Sequence, residues 1–261
     1  MISRAGRFAY AHGHLGARHG ARPGLADWAR LQAIGDAQSF VEAARRTAIA
    51  GLMGGIPPTM AKRGDPIHAV EARLRERWRE EVRRVAHWYG KDDRPAVEWL
   101  SLIPLLPAIS HLARGDRASP WMEAEGSLAP FLKAASGDKD ALPRAGLTCF
   151  ARVFTNLETA GTCWFEHWRT LWPAAKAERA GFELLYGKVA ELSGAGAGGE
   201  PVLPPPDVLD PVFEKSFRRN ARNLVAGIAY LGLVANDLRR LRGQISLRLA
   251  LPALQRQGAV A

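Results

Sequence analysis

Apolar residues recur at offsets of three and four along most of this chain, and no strand-length segment alternates β-branched or aromatic residues with polar ones. The clearest case runs from Asp65 to Gly90. Ile67, Val70, Leu74, Trp78, Val82, Val85 and Tyr89 lie on one face, with Arg73, Arg75, Glu76, Arg79, Glu80 and Arg83 around the rest of the cylinder. Asp65 is a suitable N-cap, Pro66 fits the first helical position and Gly90 supplies a C-terminal stop. A helix of that length spans roughly 37 Å.

The same grammar predicts a helix capped by Asp36 and running through Phe40, Val41, Ala44, Ile49 and Leu52. Another is opened by Ser119-Pro120 and carries Met122, Leu128 and Phe131. Two more are expected between Ala145 and Leu192, with a break near Trp172-Pro173, and helix returns from Asp210 to Leu251. Asn-Gly and Asp-Gly hairpin signals are missing, so the expected fold class is all-α, a bundle of long antiparallel helices or stacked helical hairpins. The segment Ser193 to Pro211 passes from Gly/Ala-rich to Pro-rich and reads as a loop or linker. It separates a main helical domain, residues 1–192, from a C-terminal helical segment, 212–261, expected to pack back on it.

The chain has 261 residues, 36 of them Lys or Arg and 26 Asp or Glu, for a formal net charge of +10. At 47% hydrophobic and 24% charged it has the composition of a globular protein, which excludes disorder and collagen-like structure. Cys149 and Cys163 are the only cysteines, too few for a disulfide framework or a four-thiolate zinc site. The longest uncharged apolar stretch, Trp99 to Ala113, carries Pro104 and Pro107 and is shorter than the roughly 20 residues a membrane span needs. No span is expected, and His12, His14, Arg18 and His19 occupy the place where a signal peptide needs its apolar core.

Candidate chemistry is sparse. The glycines at 194–199 lack the Gly-Lys-Ser/Thr ending of a phosphate loop, and no serine or cysteine sits in a nucleophile signature. His12, His14 and His19 form the one local histidine group, but their spacings do not match the three- or four-residue interval that points two ligands at one ion from a helix. No metal, cofactor or catalytic residue is assigned. Trp164, Trp168 and Trp172 stack at four-residue intervals on one helical face, which favours core packing over a base-stacking platform. Positive charge gathers at Lys62–Lys91, where acids interleave. It gathers again at Lys215–Arg248, where eight basic residues face only Glu214 and Asp237. That second cluster suits nucleic acid, anionic lipid or an acidic protein surface, and equally a solvated helix face with no partner, because charge alone does not choose among them.

Within it, Ala229-Tyr230-Leu231 begins an apolar half-helix that passes to Asp237, then Arg240, a second apolar stripe and a Leu251-Pro252 stop. This resembles the last helix of the C/d family of central-stalk proteins, found in the archaeal and bacterial V/A-type rotary ATPases and in eukaryotic V-ATPases. The opening is similar too: Phe8-Ala9-Tyr10 leads into an arginine-bearing segment, followed by the short helix from Asp36 to Leu52 with Phe40, Val41 and Thr47. The sequence departs from the family in being shorter, in carrying Asp where Glu is usual at 237, and in having Leu233 at a second acidic position. The glycines at 13, 16 and 20 also weaken the first helix, each by roughly 1 kcal/mol relative to Ala.

The resemblance implies a funnel of stacked helices without catalytic activity. Such a protein is peripheral at the cytoplasmic face of the membrane and joins the central shaft to the proteolipid ring of an ion-transporting rotary motor, with no nucleic-acid partner. Asp237, Arg239, Arg240 and Arg242 are the expected partner-binding residues, and an internal salt-bridge network is the equal alternative for them. A basic helical adaptor for nucleic acid or anionic membranes is the competing reading of the same cluster.

Overall fold

The computed structural model describes residues 3–56, 66–155, 158–193 and 203–258. Among these residues the fold is all-α, with no strand. In chain order the helices are α1 (Arg4–Gly20), α2 (Leu25–Gln32), α3 (Ala37–Ala44), α4 (Pro66–His87), α5 (Arg94–Glu98), α6 (Leu106–Ala113) and α7 (Pro120–Ala124). They continue with α8 (Ala129–Ala135), α9 (Ala141–Arg144), α10 (Ala160–Thr170), α11 (Lys176–Leu192), α12 (Pro206–Arg219) and α13 (Leu224–Gly258). Two compact units result, one made of residues 1–97 and 173–261 and the other of 98–172. The chain therefore does not divide at Ser193. The C-terminal helices share a unit with the N-terminal ones because α13 packs on α12, α4, α1, α11 and α3.

Helix α13 is the spine of the first unit. Its 35 residues extend about 52 Å. From Leu224 to Val234 nearly every side chain is buried, so this half is apolar all round and has no solvent face. Two glycines let neighbours approach it. A Cβ on Gly227 would lie 2.6 Å from the Tyr89 hydroxyl, and one on Gly232 would lie 2.4 Å from the Phe213 ring. Helix α4 buries Val70, Leu74, Trp78, Val82 and Val85 of the face read from the sequence, while Ile67, in its first turn, is exposed. Its expected N-cap, Asp65, lies outside the described residues.

Several expected helices are shorter or interrupted. The one from Asp36 stops at Ala44: the Thr47 hydroxyl donates to the Ala44 carbonyl (2.8 Å) and accepts from the Ile49 amide (3.2 Å), starting a separate 3-10 turn at Ala48–Gly51. The one from Ser119 breaks at Glu125, whose backbone is extended and whose carboxylate accepts from the Ser127 amide. The break near Trp172-Pro173 is present, and the turn at 220–223 divides the last segment into α12 and α13. Helix α12 begins at Pro206, so the end of the expected linker is helical. Residues 194–202 of that linker lie outside the described residues.

The second unit closes around Leu105, Ile109, Leu112, Leu128, Phe131 and Phe150, all essentially buried. Trp164, Trp168 and Trp172 are buried with them, Trp164 stacked on Trp168 at 5.3 Å and Trp168 edge-on to Trp172 at 5.2 Å. The indoles of Trp99 and Trp164 each donate to the other residue's carbonyl, at 3.0 and 3.1 Å. The helical run Arg94–Ala113 is long and apolar enough by length and composition to cross a membrane, a property not expected from the stretch counted from Trp99. Its middle, Trp99–Leu105, is a 3-10 turn containing Pro104; Leu100, Leu105, Ile109 and Leu112 are buried, while Ile103 is exposed.

Candidate functional site

Two buried carboxylates organise the first unit. Glu81 of α4 is 1% exposed and accepts from the Arg18 Nε and Nη2 of α1 at 2.8 and 3.0 Å. The Tyr230 hydroxyl of α13 donates to it at 2.8 Å, Arg77 Nη2 lies 3.3 Å away, and Arg84 completes the cluster. One α4 turn thus holds both α1 and α13. Asp237 of α13 is fully buried; its Oδ2 accepts from Arg22 Nε at 2.8 Å, while Oδ1 makes no hydrogen bond among the described residues and has Arg240 Nη1 at 3.5 Å. Arg22 also reaches Glu214 of α12 at 3.2 Å. A cleft of about 210 Å³ runs between these clusters, lined by Arg18, Arg22, Arg77, Glu81, Tyr230 and Asp237.

Electrostatics follow from burial. Desolvation raises the Asp237 carboxyl above the usual aspartate range, and the hydrogen bond and charge of Arg22 offset only part of that. Burial likewise raises the Tyr230 phenol, with the Glu81 charge adding to it, so Tyr230 stays a neutral donor. Burial alone would lower the Arg240 guanidinium, but hydrogen bonds to Asp207 and Asp210 outweigh it and raise it.

The structure places all four residues singled out from the sequence in intramolecular contacts. Asp237 is the acceptor just described. Arg240 joins α13 to α12 through Asp210 (2.7 Å) and Asp207 (2.6 Å). Arg239 donates to the Leu203 and Pro204 carbonyls at 3.3 and 2.9 Å, and Arg242 pairs with Glu71 of α4. Arg248, also counted in the basic cluster, is 4% exposed. It donates to the Leu31, Gln32 and Ile34 carbonyls, capping the end of α2, and its guanidinium lies 4.3 Å over the Phe40 ring. Asp207, Asp210 and Glu71 supply acids for Arg240 and Arg242, and backbone carbonyls hold Arg239 and Arg248, so the cations left without either kind of partner lie at the end of α12 and the turn after it. Lys215, Arg219 and Arg222 carry no ion pair among the described residues, and Arg218 reaches Glu214 only at 3.4 Å.

Other candidates resolve into packing. His14 stacks on Trp88, His12 is tilted against Phe217, and His19 stacks on Phe217 with its Nε2 at 2.8 Å from Glu214. Among the described residues no group of His, Cys, Asp and Glu is placed to hold a metal ion. Desolvation pushes the Cys149 thiol up to about 11 and the Cys163 thiol up to about 12, the latter aided by its hydrogen bond to Glu158, so neither is an activated nucleophile.

Set against family models, curated proteins and solved structures, the chain matches none. Glu81, which beside Glu80 reads from the sequence as part of a solvated helix face, is instead buried, and Arg18 and Arg22 are the residues that sequence reading passed over. Glu81 stood among interleaved helical charges, and the arginines lay in a segment read for its histidines. Apolar neighbours on the inward face of α4, Trp78 and Val82, were the available signal that Glu81 points inward.

Proposed function

We propose that this chain is a non-catalytic central-stalk coupler of a V/A-type rotary ATPase, joining the central shaft to the membrane proteolipid ring for ion transport. One observation carries the reading: the two sequence segments with the family resemblance, one at each end of the chain, are clasped together by an ion pair and hydrogen bonds. Arg18 and Arg22 of the first segment meet Glu81, Tyr230 and Asp237, and Arg248 of the last holds the end of α2. A coupler must carry torque without absorbing it as bending, and a buried, charge-paired helix junction resists shear because separating it exposes unpaired charge.

The reading brings with it the family's long antiparallel helices stacked as a funnel and a peripheral position at the cytoplasmic membrane face. No catalytic residue, cofactor or metal is assigned. The exposed cations Lys215, Arg219 and Arg222 favour a second reading, a basic helical adaptor for nucleic acid or anionic membranes, whose binding would fall steeply with salt through counterion release.

Affinity capture of the tagged chain from gently solubilised native membranes separates the two. Recovery of a proteolipid ring with shaft proteins supports the coupling role, whereas recovery of nucleic acid or lipid alone sinks it and promotes the adaptor.

A further inference from the structure

Helices α11 and α12 pack side by side in opposite directions, with Gly181 beside Asn220, and leave between them a groove of about 270 Å³. Leu184, Pro211 and Val212 form its apolar surface, and Leu184 is 59% exposed. Its charged lining is of one sign. Lys188, Lys215 and Arg219 edge the groove, and among the described residues no carboxylate lines it. Lys188 is paired with Glu191 at 2.5 Å, but Lys215 and Arg219 have no ion pair among the described residues. Elsewhere in the first unit the arginines of α13 are tied down, Arg240 and Arg242 by acids and Arg239 and Arg248 by backbone carbonyls, whereas these two cations stand beside an open leucine.

We propose that this groove receives an acidic amphipathic helix of a partner protein. Two parallel ridges with a gap between them are the surface into which a third helix packs, its apolar residues at i, i+3 or i+4 and i+7 seated between Leu184 and Val212. The basic edges select for flanking Asp or Glu and against Lys or Arg, since like charges across a helix interface are repulsive. The apolar content of the groove favours a protein helix over nucleic acid, which would need stacking aromatics among the cations. This inference is independent of the rotary-motor reading, because it concerns α11 and α12 and not the clasp between α1, α4 and α13.

The test is a display selection of helical peptides of about 16 residues, between four and five turns, on the immobilised full-length chain. Binding of the selected peptides is then measured by fluorescence anisotropy. The enriched sequences are expected to carry Leu, Ile or Phe at helical spacing with Asp or Glu beside them. Their affinity should fall by about tenfold or more in both Leu184→Glu and the double variant Lys215→Glu/Arg219→Glu. These positions are exposed, so circular dichroism should show unchanged helicity in both variants. Selected peptides that are neutral or basic, or whose binding ignores both variants, overturn the proposal. So does a dimer in sedimentation analysis that Leu184→Glu dissolves, which would make a second copy the occupant. Binding to phosphatidylglycerol vesicles that the double variant abolishes, with no acidic peptide selected, would assign the surface to membrane instead.

Discussion

Asp237 shows how a single buried group sets a stability profile. Its carboxyl is raised by burial, so the folded protein holds a proton there at pH values where the unfolded chain has released it. Stability from this site is therefore greatest at acid pH and declines as pH rises through the unfolded and then the folded value. Urea denaturation of the native protein and Asp237→Asn at pH 7 and pH 4.5 should show the native protein gaining relative to the variant at the lower pH. The opposite slope would mean that Arg22 and Arg240 hold the group below the ordinary range. Arg248 makes a different kind of contribution, satisfying the carbonyls at the end of α2 from inside the fold. Arg248→Met keeps much of the packing over Phe40 but strips those donors, and should cost about 2 kcal/mol in the same assay. The types of both residues were legible in the sequence, but their partners were not. Arg22 lies 215 positions from Asp237, and a distance of that kind leaves no trace in local spacing.

At the scale of elements, glycine separates propensity from packing. Gly13 and Gly16 lie on the outer face of α1, where a Cβ would meet nothing within 4 Å, so Gly13→Ala and Gly16→Ala should each stabilise the protein by roughly 1 kcal/mol. Gly232 sits in a helix too, yet a Cβ there collides with Phe213. Gly232→Ala should destabilise by about 1–3 kcal/mol, and thermal denaturation of the three variants reads both signs. Periodicity reported the buried face of α4 and the presence of α10 through α13, because one-sided burial imposes it. It overran where single side chains redirect the backbone, as Thr47 does after α3 and Glu125 does after α7. It also described poorly the first half of α13, which is buried on every side and so has no amphipathic contrast.

For the whole molecule, the division into residues 1–97 with 173–261 and 98–172 was not legible from the linker-like composition at 193–211. Gly and Pro reported a break in helix there, whereas the grouping depends on which helices α13 touches. The basic cluster is likewise a property of the fold. Arg240 and Arg242 are neutralised by Asp207, Asp210 and Glu71, Arg239 and Arg248 are tied to backbone carbonyls, and what stays open lies along α12 and the turn after it. A coupler on the axis of a rotor has one further consequence that an adaptor lacks: there is room for a single copy. Native mass spectrometry of the complex captured from membranes counts it directly. The account predicts one copy of this chain per proteolipid ring together with the shaft, and several copies per ring, or a chain that leaves the membrane with no ring at all, would contradict it.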